Sequence, residues 1–277
     1  MAVGAEAVRI VGSVLVRNED VFVERAVRNA AAFCDRIHAV DHQSSDRTWE
    51  ILRGLASELD HLDVRRAAHA GESHRLLERY AGTRTWVIGV DGDELFDPFG
   101  LAVLREALLG GAHADVFRLK AHVLNCDELD GATGEARGWM APPSRPVTKL
   151  FNFAAVEAWS GCPERLHSGT VVFRQGYDWE SRRNLFDELR WEADPLRCLH
   201  VCFRRRSSRD AESEARPSLG QTGAYDRGPL GVLKRRLGRA GLPPKMVELN
   251  RSGRTWKQEW YARGPRVSVD ATPFLAR

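Results

Sequence analysis

The sequence predicts an α/β protein: a mostly parallel central sheet covered by helices on both faces, followed by a basic C-terminal extension. Three observations carry that prediction. Over the first 125 residues, apolar runs of strand length alternate with stretches of helical period, the pattern of a sheet wound with helices. Beyond residue 125 that alternation stops. The charge then changes sign: residues 1–203 carry 24 Lys and Arg against 31 Asp and Glu, a net of −7, and residues 204–277 carry 17 against 7, a net of +10.

The elements follow in order. Residues 8–16 form an apolar strand, and 20–33 a helix with Val23, Ala26, Val27 and Ala30 on one face. Residues 36–41 (RIHAVD) form a second strand, and 45–59 a helix burying Trp49, Leu52, Leu55 and Ala56. A short strand at 62–66, a helix at 72–81 and a strand at 85–90 come next. The helix at 98–109 starts with Pro98, whose fixed φ suits a first turn. A strand at 115–123 precedes residues 125–146, rich in Gly, Pro and acids, which read as a long loop. Strand-like pieces at 147–153, 170–174 and 196–203 complete a body of residues 1–203, with halves 1–125 and 126–203. The extension, 204–277, is polar, with a basic helix expected at 230–239.

Composition narrows the class. At 277 residues, 43% hydrophobic and 29% charged, the chain has the make-up of a soluble globular protein. Cys34, Cys126, Cys162, Cys198 and Cys202 are an odd set without a small-disulfide framework, and so are expected as reduced thiols. No export signal and no run of about 18 apolar residues is present, which points to a cytoplasmic protein with at most peripheral contact at the inner membrane face.

Chemistry is expected where the strands end, because ligands of open parallel sheets bind beyond the carboxyl ends of the strands. The first strand runs into Arg17-Asn18-Glu19. The second ends in VDHQSSDRT, with Asp41, Ser44 and Asp46. The strand at 85–90 ends in Asp91-Gly92-Asp93-Glu94. Each alone reads as a turn or a helix cap; three on one edge describe an acid-lined pocket. Neighbouring carboxylates repel unless a cation or arginines sit among them. The glycine-rich dinucleotide fingerprint and the phosphate loop are both missing, so a bound diphosphate would need a cation. Oxygen ligands suit Mg²⁺ or Mn²⁺.

The stretches RNED, AVDHQSSDRTWEIL and WVIGVDGDELFDP, in this order and spacing, resemble the family 2 glycosyltransferases, whose nucleotide-sugar-binding fold is called GT-A. The match covers roughly residues 8–125 and is looser from 147 to 203. The resemblance implies transfer of a sugar from a nucleoside diphosphate to an acceptor hydroxyl, usually with inversion and with a divalent metal, Mn²⁺ or Mg²⁺. It puts Arg17, Glu19, Asp41, Ser44 and Asp46 on the nucleoside, Arg75 near the diphosphate, and Asp91 on ribose and metal. Asp93 and His200 fall at the metal. Glu164 in WSGCPERL matches the family's acceptor-side glutamate and is the expected base, although Pro163 replaces the usual histidine.

The donor implied is a nucleoside diphosphate sugar. The acceptor is an unidentified hydroxyl, with anionic or lipid-linked acceptors suited to the basic tail, and no nucleic acid is expected. Two other classes compete. A nucleotidyltransferase would use the same acidic site but a glycine-rich loop after the first strand, which Arg17-Asn18-Glu19 lacks. A non-catalytic carbohydrate- or RNA-binding module would fit the basic tail but would not hydrolyse nucleotide sugars. His200 could equally be a satisfied buried histidine between Cys198 and Cys202, and the tail could simply pack on the acidic body.

Overall fold

The computed structural model describes residues 7–145, 147–210 and 260–276. Strand β1 (Arg9–Val16) pairs in parallel with β2 (Arg36–Asp41) on one side and β4 (Thr85–Val90) on the other; β3 (Leu62–Arg66) extends the sheet beyond β2. On the far side of β4, β9 (Thr148–Asn152) runs antiparallel between β4 and β6 (Arg118–Ala121), and β12 (Arg182–Asn184) lies outermost. Three of these strands, β1, β2 and β4, keep the bounds read from sequence closely, because their residues are buried on both faces and leave little register freedom; β3, with only Leu62 buried, keeps its bounds as an edge strand.

Period-two alternation divides those runs between two cores. Ile10, Val14, Val16, Trp86, Ile88 and Val90 face α1 (Val23–Ala31), α2 (Thr48–Glu58) and α4 (Pro98–Leu109). Val11 and Val87 face the other way, onto Leu77 of α3 (Glu72–Glu78) and an aromatic cluster of Phe117, Phe151, Phe153 and Trp159. Both faces are thus covered. At α4 the Asp97 side chain accepts the Phe99 N–H as an N-cap, with Pro98 in the first turn.

A second sheet, ordered β14 (Arg266–Asp270), β8 (Glu135–Ala141), β7 (Val123–Asp130), β13 (Cys198–His200), β5 (Glu94–Phe96), abuts the first. Its strand β5 (Glu94–Phe96) begins one residue past the Asp91-Gly92-Asp93 turn, so the acidic turn is the seam between the two sheets. Strand β13 (Cys198–His200) pairs with β5 and with β7 (Val123–Asp130), setting His200 opposite both Glu94 and Asn125.

Two expectations are corrected. Residues 125–146 are not a long loop: β7 and β8 (Glu135–Ala141) form an antiparallel hairpin with a bulge between Cys126 and Glu128. The outer half of β7, Asp127-Glu128-Leu129-Asp130, alternates half-buried and exposed positions and has acids at three of the four, so apolar patterning does not mark it. The Asp130 carboxylate ties the turn by accepting from Ala132 N–H and the Thr133 hydroxyl, and Gly134 takes φ +69.

The extension beyond residue 203 is also not a mere appendage. Strand β14 (Arg266–Asp270) pairs antiparallel with β8, and the helical turn Thr272–Leu275 drops Phe274 into the main core, stacked on Trp191 at 5.7 Å. Asn29 Nδ2 donates to the carbonyls of both Phe96 and Phe274, and Arg25 Nη1 to those of Leu275 and Ala276. Residues 266–275 are thus packed into the body and not separate from it. The helix expected at 230–239 lies outside the described residues, and no described helix is long and apolar enough to cross a membrane.

Candidate active site

The polar ends of β1, β2 and β4 meet at one edge and are bonded to one another. Asn18, at φ +54, donates its N–H to Ser44 Oγ (2.8 Å) and accepts the Ser45 N–H on its side chain (2.6 Å). Glu19 takes the Thr48 hydroxyl oxygen as acceptor for its own N–H, and its Oε2 accepts the Gly92 N–H at 3.0 Å. That bond explains the glycine between the two aspartates: a Cβ on Gly92 would collide with the Glu19 carboxylate and crowd Val16 Cγ1 at 2.9 Å.

On the β2 side Asp41 is fully buried. It accepts the Ser44 N–H and the Arg66 Nε–H (2.8 Å), while Arg66 Nη2 donates to the Ser44 carbonyl. Arg66 ends β3 in register with Asp41, and its guanidinium lies 5.2 Å over the Trp49 ring. Arg17, which follows β1, is half-buried. Asp46 accepts from the Thr48 N–H and hydroxyl and from the Ser207 hydroxyl. Burial raises its pKa, but these bonds outweigh burial and hold the carboxyl below its usual value.

A third group arrives from the loop after β10 (Val156–Ser160). On α3, the Ser73 hydroxyl accepts the Arg165 N–H and His74 Nδ1 accepts the Leu166 N–H, while His74 Nε2 donates to the Trp159 carbonyl at 2.8 Å. This clamp, with Leu166 at φ +44, drives the Arg165 side chain under β1 and β4. There Nη1 donates to the Ser13 carbonyl and Nη2 pairs with Asp91 Oδ1. Glu164 follows it to the same edge, its side chain 23% exposed. Burial pushes the Glu164 carboxyl up to about 7, partly offset by Arg165. Arg75, expected near the diphosphate, is exposed on α3; the guanidinium that meets the acidic turn belongs to Arg165.

The last contribution comes from residues 204–210. Arg206 Nη1 donates to Asp93 Oδ2 at 2.7 Å and to Glu19 Oε1 at 3.3 Å, and Asp93 is buried. His200 Nε2 stands 3.6 Å from the same Asp93 oxygen, and its Nδ1 bonds Asn125 Oδ1 at 2.9 Å. Burial works against protonating this histidine, but the Cys202 and Asp93 groups outweigh it and hold the His200 pKa above its ordinary value. Glu94, buried beside Asp91, is pushed up to about 7, by burial first and Asp91 second.

Mg²⁺ or Mn²⁺ needs several oxygens converging on open space. Asp91, Asp93 and His200 do not fit that need here: Asp91 is paired with Arg165 and Asp93 with Arg206, and His200 is shared between Asn125 and Asp93. Among the described residues no three His, Cys, Asp or Glu side chains converge as a metal centre.

Arg66, Arg165, Arg206 and Ser207 are therefore the site residues that motif reading misses. For Arg66 a signal existed, since adjacent parallel strands ending together put it beside Asp41. For Arg206 there was only a basic triplet, Arg204-Arg205-Arg206.

No protein-family profile and no curated protein sequence matches the chain. Among solved structures it is distantly similar to mannose-6-phosphate isomerase from Helicobacter pylori, at 13% identity and TM-score 0.32, covering 44% of this chain and 53% of that one. It is similar to glucosyl-3-phosphoglycerate synthase from Mycobacterium tuberculosis with Mn²⁺, UDP-glucose and phosphoglyceric acid, at 18% identity and TM-score 0.35, covering 53% and 58%. A mannosyltransferase from Pyrobaculum calidifontis in complex with GDP-Man and Mn²⁺ matches at 13% identity and TM-score 0.39, covering 90% and 80%. The chain thus spans little more than half the length of the first two proteins. Likeness at this distance says nothing about activity.

Proposed function

We propose that this protein is a glycosyltransferase that moves a sugar from a nucleoside diphosphate to an acceptor hydroxyl on a GT-A-like fold. The observation that carries the reading is the bonded meeting of three strand ends, through Asn18–Ser44 and Glu19–Gly92, with the Glu164-Arg165 loop delivered onto Asp91. The carboxyl edge of a parallel sheet is where such folds bind ligands, and the motifs that resemble the family fall on that edge together. Asp41 and Arg66, with the 44–46 turn, supply the nucleoside side; Asp91, the open acid of the turn at 42% exposure, faces the sugar and ribose side.

The reaction follows from these groups. Glu164 takes the proton of the acceptor hydroxyl as its oxygen bonds to the anomeric carbon. The bond from that carbon to the diphosphate oxygen breaks, and the electron pair leaves with the diphosphate. A base works best with a pKa near the working pH, as the burial of Glu164 provides. One base and one displacement imply inversion. Arg165, held rigidly by Ser73 and Ser13, is the preorganised donor closest to where charge develops. The test is release of nucleoside diphosphate from UDP- and GDP-sugars. Glu164→Gln should lower turnover about 10²-fold with donor KM nearly unchanged. Absence of turnover with every nucleotide sugar, with binding also absent, refutes the reading.

A further inference from the structure

Each aspartate of the acidic turn is answered by a different arginine, and these arginines come from distant parts of the chain. We infer that Arg165 and Arg206 are resident cations of the donor site, and that a nucleoside diphosphate binds there without a divalent metal. The ligand in this statement rests on the transferase reading; the charge arrangement rests on the geometry alone.

The segment bearing Arg206 is fastened at that residue and at the two that follow it. The Arg206 carbonyl accepts the Val21 N–H at 3.0 Å, the Ser207 hydroxyl donates to Asp46 at 2.6 Å, and the Ser208 N–H donates to Asp20 at 2.6 Å. Ser207 is completely buried. A cation entering between Asp93 and Glu19 would have to break the Arg206 pairs and leave a buried guanidinium without its counter-ions, which buried pairs strongly resist. Asp93 and Glu94 are themselves buried, so the turn offers a metal one open carboxylate, Asp91, already paired with Arg165. Guanidinium groups do for phosphate oxygens what a metal does, by forked, charge-assisted hydrogen bonds. Arg165 stands at the open acid and is the group placed to serve the diphosphate; Arg206 neutralises the buried acids behind it.

The experiment uses the full-length protein. Mn²⁺ is titrated in and followed by electron paramagnetic resonance, and UDP and GDP binding is measured calorimetrically in EDTA and in Mn²⁺. The free Mn²⁺ signal should stay undiminished at equimolar protein, and the nucleotide affinities in the two buffers should agree within about twofold. Arg165→Gln should weaken nucleotide binding in EDTA about tenfold or more, a loss of about 1.4 kcal/mol, with Arg165→Lys recovering part of it. Stoichiometric Mn²⁺ binding that Asp93→Asn abolishes, or nucleotide binding that needs Mn²⁺, overturns the inference. So does undiminished binding by Arg165→Gln. If that variant does not fold, the wild-type comparison decides. If neither nucleotide binds in either buffer, the transferase reading falls, and the Mn²⁺ titration still judges the arginines.

Discussion

In the proposed mechanism Glu164 links activity and stability with opposite signs, which makes Glu164→Gln the most informative single change. Burial holds its carboxyl at about 7 instead of its ordinary 4.5. As a base it must be ionised: with a pKa near 7, about a tenth is ionised at pH 6 and about nine-tenths at pH 8, so kcat/KM should rise roughly tenfold between them. An ordinary carboxyl would give a flat profile over that range.

Stability runs the other way. Between pH 4.5 and 7 the unfolded chain has released this proton while the folded protein keeps it, so stability falls as pH rises through that window. At 1.36 kcal/mol per pKa unit, ionised Glu164 costs the fold up to about 3 kcal/mol above pH 7. Glutamine removes that cost. The variant should therefore lose about 10²-fold in turnover with its pH dependence abolished, and gain up to about 3 kcal/mol in urea melts at pH 8 and little at pH 4. A flat wild-type profile from pH 6 to 8, or a variant no more stable at pH 8 than the wild type, refutes the assignment.

Three further outcomes are expected. Phe274→Ala should cost about 3–5 kcal/mol, since the ring is fully buried against Trp191; by the same argument, truncation after residue 225 should leave insoluble protein, not a donor-binding core. Both are read by denaturant melts and solubility. Gly92→Ala should lower stability and abolish nucleotide binding together, because the added methyl group pushes Glu19 off the turn; a crystal structure with Glu19 undisturbed would contradict this. Arg66→Ala should cost about 1–3 kcal/mol and weaken nucleotide binding, as it removes from buried Asp41 its guanidinium partner.

What the sequence could tell follows from how each element is stabilised. Strands buried on both faces advertise themselves as apolar runs, and β2 and β4 stand at the residues so read. The hairpin at 123–141 exposes one face and carries acids there, so it reads as loop. Strand β14 does alternate, as Arg266-Val-Ser-Val-Asp270, but its partner β8 lies about 130 residues earlier in a segment already misread. Local order places Asp41 at the end of β2 and Asp91 and Asp93 just past β4, because an apolar run fixes where its strand ends. It could not locate Arg165 or Arg206 at the acids, since their places depend on a clamp from Ser73 and His74 and on a return of the chain over β1.

Three acids in four residues, Asp91, Asp93 and Glu94, pose the central electrostatic question of the chain. Their mutual repulsion is removed by three different devices. Asp91 stays half-open and pairs with Arg165; Asp93 is buried and pairs with Arg206 and, at longer range, His200; Glu94 is buried, pairs with no arginine among the described residues and is driven toward its protonated form. Gly92 lets Glu19 close over the turn and present its second oxygen to Arg206, so one guanidinium serves two carboxylates. The acidic body and the basic residues beyond 203 are thus partly one structure, with Arg206 carrying the first of the tail's charge into the body's most acidic point. The positive excess of the tail need not signal an outside anion to that extent, because the chain supplies the anion itself.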